Sequence, residues 1–131
     1  MLARMEIRPI NAPDAPAAAA AYSQAVEVVD ATRTLYVSGQ VGVDPSGDVP
    51  ADAVEQNRLA WSNLAAQLRA AGMTLDNLVR YTTILPDVAD LPAVRSVRAE
   101  FLGERRPGST LIVAGLANPA WKVEIEGVAV A

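Results

Sequence analysis

The sequence predicts an α/β (α+β) fold, a mixed β-sheet with two helices packed on one face, and three observations lead there. Residues 51–71 and 91–102 repeat apolar side chains at intervals of three and four, the period of an amphipathic helix. Residues 5–10, 25–29, 34–38, 78–85, 111–116 and 123–131 are instead short runs suited to strands and mostly bounded by Pro, Gly or Asp. Two amphipathic helices have one apolar face each and cover only one side of such a sheet, so the other side is either wet or covered by another subunit.

Taken in order, residues 5–10 form a short strand, and Pro9, Pro13 and Pro16 make residues 11–21 a turn-rich connector despite its alanine run. Tyr22-Ser23-Gln24 is a polar, aromatic-bearing lead into the next strand. Segments 25–29 and 34–38 are separated by Asp30-Ala31-Thr32-Arg33, a length that fits a hairpin. Gly39, in Ser38-Gly39-Gln40, marks either a structural bulge or a close approach of something to the backbone. Asp44-Pro45-Ser46-Gly47 is a turn.

The helix over 51–71 buries Val54, Trp61, Leu64, Ala65, Leu68 and Ala71 and stops at Gly72, and its Trp61 reads as core. A turn or 3₁₀ segment at 74–77 leads into a strand over 78–85, closed by Pro86. Asp90 is the expected N-cap of the second helix, with Pro92 in its first turn and Gly103 ending it. Leu91, Val94, Val97, Phe101 and Leu102 are its buried side. Arg95 and Arg98 lie on or beside that stripe, either as solvated, snorkelling side chains or as an anion anchor.

In the last strand, Val123, Ile125, Gly127 and Ala129 share one face, while Glu124, Glu126, Val128 and Val130 share the other. Either the glutamates border a cleft in a sheet buried on both sides, or they face water. The two-sided apolar character of 111–116 and of this strand favours a second subunit over the uncovered face.

Composition narrows the chemistry. At 131 residues the chain is expected to form one domain, and 51% hydrophobic with 20% charged residues describes a globular protein. A net charge of -4 gives no attraction to phosphate backbones, so nucleic acid is not an expected partner. The chain has no Cys and no His, which removes thiol nucleophiles, disulfides, thiolate and imidazole metal sites and every Ser-His or Cys-His pair. No acidic loop of the calcium-binding kind is present, and no metal or cofactor is expected. No run of about 18 apolar residues could span a bilayer, and no signal-like segment opens the chain, so the expected location is the cytoplasm, away from membranes.

A set of motifs spread over nearly the whole chain resembles the RidA family, also called YjgF or L-PSP. They are Ala21-Tyr22-Ser23-Gln24, Leu35-Tyr36-Val37-Ser38-Gly39-Gln40-Val41, Gly47-Asp48-Val49-Pro50-Ala51, Gln56 with Asn63-Leu64, Ala70-Ala71-Gly72, Tyr81-Thr82-Thr83-Ile84, Arg106-Pro107-Gly108-Ser109-Thr110 and Val123-Glu124-Ile125-Glu126. The resemblance implies a chorismate-mutase-like subunit, a homotrimer forming a barrel, and small-molecule clefts between subunits. It also implies hydrolysis of reactive 2-imino or enamino acids to 2-keto acids and ammonia. In that chemistry an arginine holds the substrate carboxylate and a glutamate directs water at the imine carbon.

By position, the resemblance makes Glu124 the water-directing catalytic residue and Tyr22, Gly39, Ser109 and Thr110 the substrate-binding set. It places Arg95 where asparagine is usual, on the cleft wall. Ser109 stands where active members carry the carboxylate-binding arginine, and a hydroxyl supplies neither the charge nor the two-pronged geometry. Arg95 carries the right group to substitute as a catalytic-site anchor. The segment after Thr110 is about one residue shorter than the family's spacing, which leaves the strand register there open. Two functions follow: an imine hydrolase with an altered anion contact, or a non-catalytic trimeric binding protein that uses the same cleft.

Overall fold

Strand β6, Glu124–Val130, lies at the centre of a four-stranded sheet, hydrogen-bonded on one side to β3 (Thr34–Val41) and on the other to β4 (Leu78–Leu85). Both neighbours run antiparallel to it. Strand β5, Gly108–Val113, adds parallel to the outer side of β4, giving the order β3-β6-β4-β5 and a mixed sheet. The computed structural model describes residues 4–131. Two helices, α1 (Ala53–Ala70) and α2 (Leu91–Leu102), complete the domain, with 3₁₀ turns at Leu75–Asn77 and Val88–Asp90.

The alternation expected in the last strand is observed. Val123, Ile125 and Ala129 are fully buried. They join Val37, Tyr81, Ala60, Leu64, Leu68, Val97 and Leu102 in one core, so both helices pack on the same face of the sheet. On that face Gly127 leaves room for the adjoining β4, because a Cβ there would stand 2.9 Å from the Leu78 side chain and 3.2 Å from the Arg80 carbonyl. The opposite face carries Tyr36, Arg80, Thr82, Glu126 and Val128 around a shallow groove, and Tyr36 is 78% exposed.

Polar residues of α1 also take part in the core. Gln56 and Asn57 are fully buried. The Gln56 amide donates to the carbonyls of Pro50 (2.8 Å) and Ala120 (3.0 Å) and accepts from the Lys122 amide (2.7 Å), which pins the segment just before β6 to the helix. Asn63 donates to the carbonyls of Val41 and Val43 and holds the end of β3 in the same way.

One expectation about strand pairing is corrected, and Asp90 is the N-cap of α2 as expected. Segments 25–29 and 34–38 do not form a hairpin: β2 (Ala25–Val29) pairs with β1 (Glu6–Ile10) in a separate two-stranded sheet, and β3 pairs with β6. The intervening turn has Asp30 at φ 58°, and the amides of Thr32 and Arg33 donate to the carbonyl of Ala131, at the far end of the chain, instead of closing a local ladder. Asp90 occupies the N-cap position of α2 without a side-chain cap bond, while Asp87 caps the preceding 3₁₀ turn through the Ala89 amide. The helix stops are as expected, with Gly72 and Gly103 at positive φ.

The register after Thr110 is now defined, running from Thr82 opposite Thr110 to Leu85 opposite Val113. The strand ends at Val113, short of the expected 116. Leu111, Ile112 and Val113, on the edge strand, are 41–53% exposed.

Candidate functional site

The connector before β2 is tied to the lead into β5. The Ser23 amide donates to the Pro107 carbonyl (3.1 Å), its hydroxyl donates to the Arg106 carbonyl, and Ser23 bridges in parallel to Gly108. Asn11 accepts from the Gln24 amide and Gln24 donates to the Pro16 carbonyl, so the proline-rich segment is held by specific bonds. These ties carry Tyr22 to the same cavity as Ser109, which lies opposite Tyr81 in the β4–β5 ladder.

That cavity, about 200 Å³, lies between the helix side of β4 and β5, the connector and α2. Tyr22, Arg95 and Ser109 line it together, so three of the sequence-predicted residues converge. Leu91, Arg95 and Arg98, spaced by four and three on α2, form one wall. Trp61 and Tyr81 form another, with the two rings edge to face at 5.1 Å. Trp61 is therefore both core, as its spacing suggested, and cavity wall.

The electrostatics of the cavity are one-sided. No carboxylate lines it, and among the described residues neither Arg95 nor Arg98 makes a hydrogen bond or ion pair with another side chain. Tyr81 is 2% exposed, and its hydroxyl has no hydrogen-bond partner among the described residues. A buried hydroxyl left in that state costs about 1–3 kcal/mol. Arg106, three residues from Ser109, is turned away, its guanidinium donating to the carbonyls of Gly103 and Arg105.

Glu124 and Gly39 lie elsewhere. The β3–β6 ladder shifts register between Val37 and Gln40, which makes Ser38-Gly39 a bulge, and the Glu124 side chain packs against the Gly39 backbone there. Glu124 is half-buried, and its partner in β4 is Ile84, one residue beyond the cavity-lining Thr83. By strand alternation Glu124 projects from the face opposite the helices. Thr110 shares that opposite face and accepts from Arg80 (3.3 Å), so it is not grouped with Ser109. Among the described residues no group of three or more Asp or Glu is placed to hold a metal, and no helix is long and apolar enough to cross a membrane.

Residues 12–131 match the family model described as Endoribonuclease L-PSP. The chain belongs to this family, also called RidA. The 2-iminobutanoate/2-iminopropanoate deaminase of Mus musculus is 41% identical over 124 residues, covering 92% of this chain and 89% of its own. Among solved structures, the Rid family protein YyfB of Yersinia pestis matches with a TM-score of 0.83 at 30% identity, over 95% of this chain and 98% of its own. E. coli TdcF, solved with bound serine, matches with a TM-score of 0.72 at 30% identity, over 95% and 98%.

Within this RidA chain, sequence reasoning did not place Tyr81, Thr83 or Leu91 in a cavity. A signal was present: Tyr81 and Thr83 put hydroxyls on the helix side of β4 between Val79 and Leu85, and Leu91, Arg95 and Arg98 share one helix face.

Proposed function

We propose that the protein is a RidA-type hydrolase of small reactive imines or enamines, and that it works as a homotrimer in which the cavity of one subunit faces Glu124 and Gly39 of the next. The observation that carries this reading is the division of the candidate residues between two faces of the sheet. Tyr22, Arg95 and Ser109 line the helix-side cavity, while Glu124 does not line it. A complete site therefore needs a second copy. The exposed apolar side chains of Tyr36 and of Leu111 to Val113 supply surface for it.

In this reading Arg95, with Ser109 and Tyr22, holds the anionic end of the substrate. Glu124 of the adjoining subunit accepts a proton from water as its oxygen attacks the imine carbon. Glu124 returns that proton to nitrogen to give the neutral carbinolamine; it then takes the carbinolamine hydroxyl proton and passes it to nitrogen as the C–N bond breaks, releasing ammonia and leaving the keto compound. With no histidine in the chain, a carboxylate is the natural group for this proton transfer. The relatives named as iminobutanoate and iminopropanoate deaminases support the reaction class, and the serine of TdcF supports a small amino-acid-like ligand. The net charge of -4 and the absence of histidine weigh against cleavage of RNA.

A second reading is favoured by Ser109, which stands where the resemblance implies an arginine: a trimeric protein that binds small molecules in the same cleft without turning them over. One experiment separates the two. 2-Iminobutanoate is generated by a threonine dehydratase and keto-acid release is followed with and without the protein. Acceleration that falls roughly 10²–10⁴-fold in Glu124→Gln supports the hydrolase. No acceleration for this or other small 2-imino acids leaves the binding protein. Light scattering tests the assembly, with three chains of 13.8 kDa giving about 41 kDa; a monomer overturns both readings.

A further inference from the structure

We propose that Arg95 and Arg98 act together as the anion anchor of the cavity, in place of a single arginine on β5, and that the cavity takes a carboxylate carrying a bulky apolar, preferably aryl, body. The inference rests on the reading above only in taking the same cavity as the ligand site.

Charge is the first argument. Arg95 and Arg98 are three residues apart on one helix face, where side chains of neighbouring turns meet. Two like charges at that spacing disfavour each other unless something anionic lies between them. No carboxylate of the same chain lines the cavity, and among the described residues neither guanidinium is engaged by another side chain. A ligand carboxylate bound by both would restore the charge-assisted, multi-donor contact that Ser109 alone cannot make.

Size and lining are the second. An apolar cavity of roughly 150 Å³ is enough for benzene, and this one is about 200 Å³. Its accessible apolar lining is Leu91 and Leu111, over a closed floor of Trp61, Tyr81 and Val94. A three- or four-carbon imino acid leaves much of that volume and the exposed flank of Leu111 uncovered, whereas an aryl ring fills the space against it.

Calorimetric titration of the intact assembly with 3-phenylpropanoate, propanoate and neutral 3-phenylpropanamide tests the proposal. The expected order is 3-phenylpropanoate about tenfold or more tighter than either of the others. Arg98→Ala and Arg95→Ala each weaken 3-phenylpropanoate about tenfold while changing 3-phenylpropanamide less than about twofold. Arg98→Lys recovers part of the loss. Propanoate binding as tightly as 3-phenylpropanoate overturns the apolar preference, and wild-type affinity in Arg98→Ala with loss in Arg95→Ala overturns the paired anchor. Melting temperature and assembly mass are recorded for each variant; if Arg98→Ala does not fold, Arg98→Gln, which keeps the stem, carries the same comparison. Glu124→Gln is expected to retain 3-phenylpropanoate affinity. Retained affinity without imine hydrolysis in the wild-type protein removes the enzymatic reading alone, and hydrolysis without the Arg98 dependence removes the anchor alone.

Discussion

Gly39 and Glu124 meet across the β3–β6 ladder so closely that a Cβ at position 39 would stand 2.7 Å from the carboxyl carbon of Glu124 and 2.9 Å from its Cγ. The bulge at Ser38-Gly39 makes the approach, and the missing side chain leaves room for the carboxylate. Sequence alone left Gly39 as either bulge or close approach; it is both.

The first prediction follows from that contact. In Gly39→Ala the obstructing atoms belong to the flexible end of Glu124, so the strand persists and the carboxylate moves. If Glu124 directs water, a displacement of about 1 Å lowers imine hydrolysis roughly 10²-fold. Steady-state kinetics beside a melting curve check this, and full activity would show that Glu124 is not the reacting carboxylate.

Gln56 tests how the site is braced. Its side chain makes three hydrogen bonds to the segments before α1 and β6, and it is fully buried. Gln56→Ala removes all three and opens a cavity, and it is expected to cost about 2–4 kcal/mol in denaturant unfolding. A loss under about 0.5 kcal/mol, the size of an ordinary surface change, would mean that these bonds do not brace the fold.

Tyr81→Phe should cost no stability. The hydroxyl is buried without a partner among the described residues, so removing it is expected to leave the melting temperature unchanged or to raise stability by up to about 1 kcal/mol. A clear loss of stability would reveal a partner for the hydroxyl in the folded, unliganded protein.

Acid stability depends on surface carboxylates. Hydrogen bonds from Arg58 hold Glu100 below the usual carboxylate range and clamp α1 to α2 at 2.9–3.0 Å. Arg8 does the same for Glu6, and the Ser46 hydroxyl for Asp44. Because these folded-state values lie below the unfolded ones, the stabilisation is fully present above about pH 5 and is lost as pH falls through the depressed values. Arg58→Ala should flatten the fall in melting temperature between about pH 5 and pH 3. An unchanged pH profile would show that the Arg58–Glu100 clamp contributes nothing there, as holds for many exposed pairs.

The sequence by itself determined the elements, the buried face of β6 and the family. Helix period, strand alternation and glycine stops are local properties, and the RidA motifs keep their order along the chain. Pairing was not legible in the same way. Residues 30–33 have a hairpin's length, yet the amides of Thr32 and Arg33 donate to Ala131 and the flanking strands join different sheets, because ladder partners are chosen by burial across the whole chain. Nor could spacing show that Tyr22 and Ser109 share a cavity while Thr110, next in sequence, faces the other way and Glu124 lies outside it. Alternation assigns residues to the two faces of a strand, but only the packed sheet, with α2 and the connector against it, decides which face becomes a cavity and which is left uncovered within the chain.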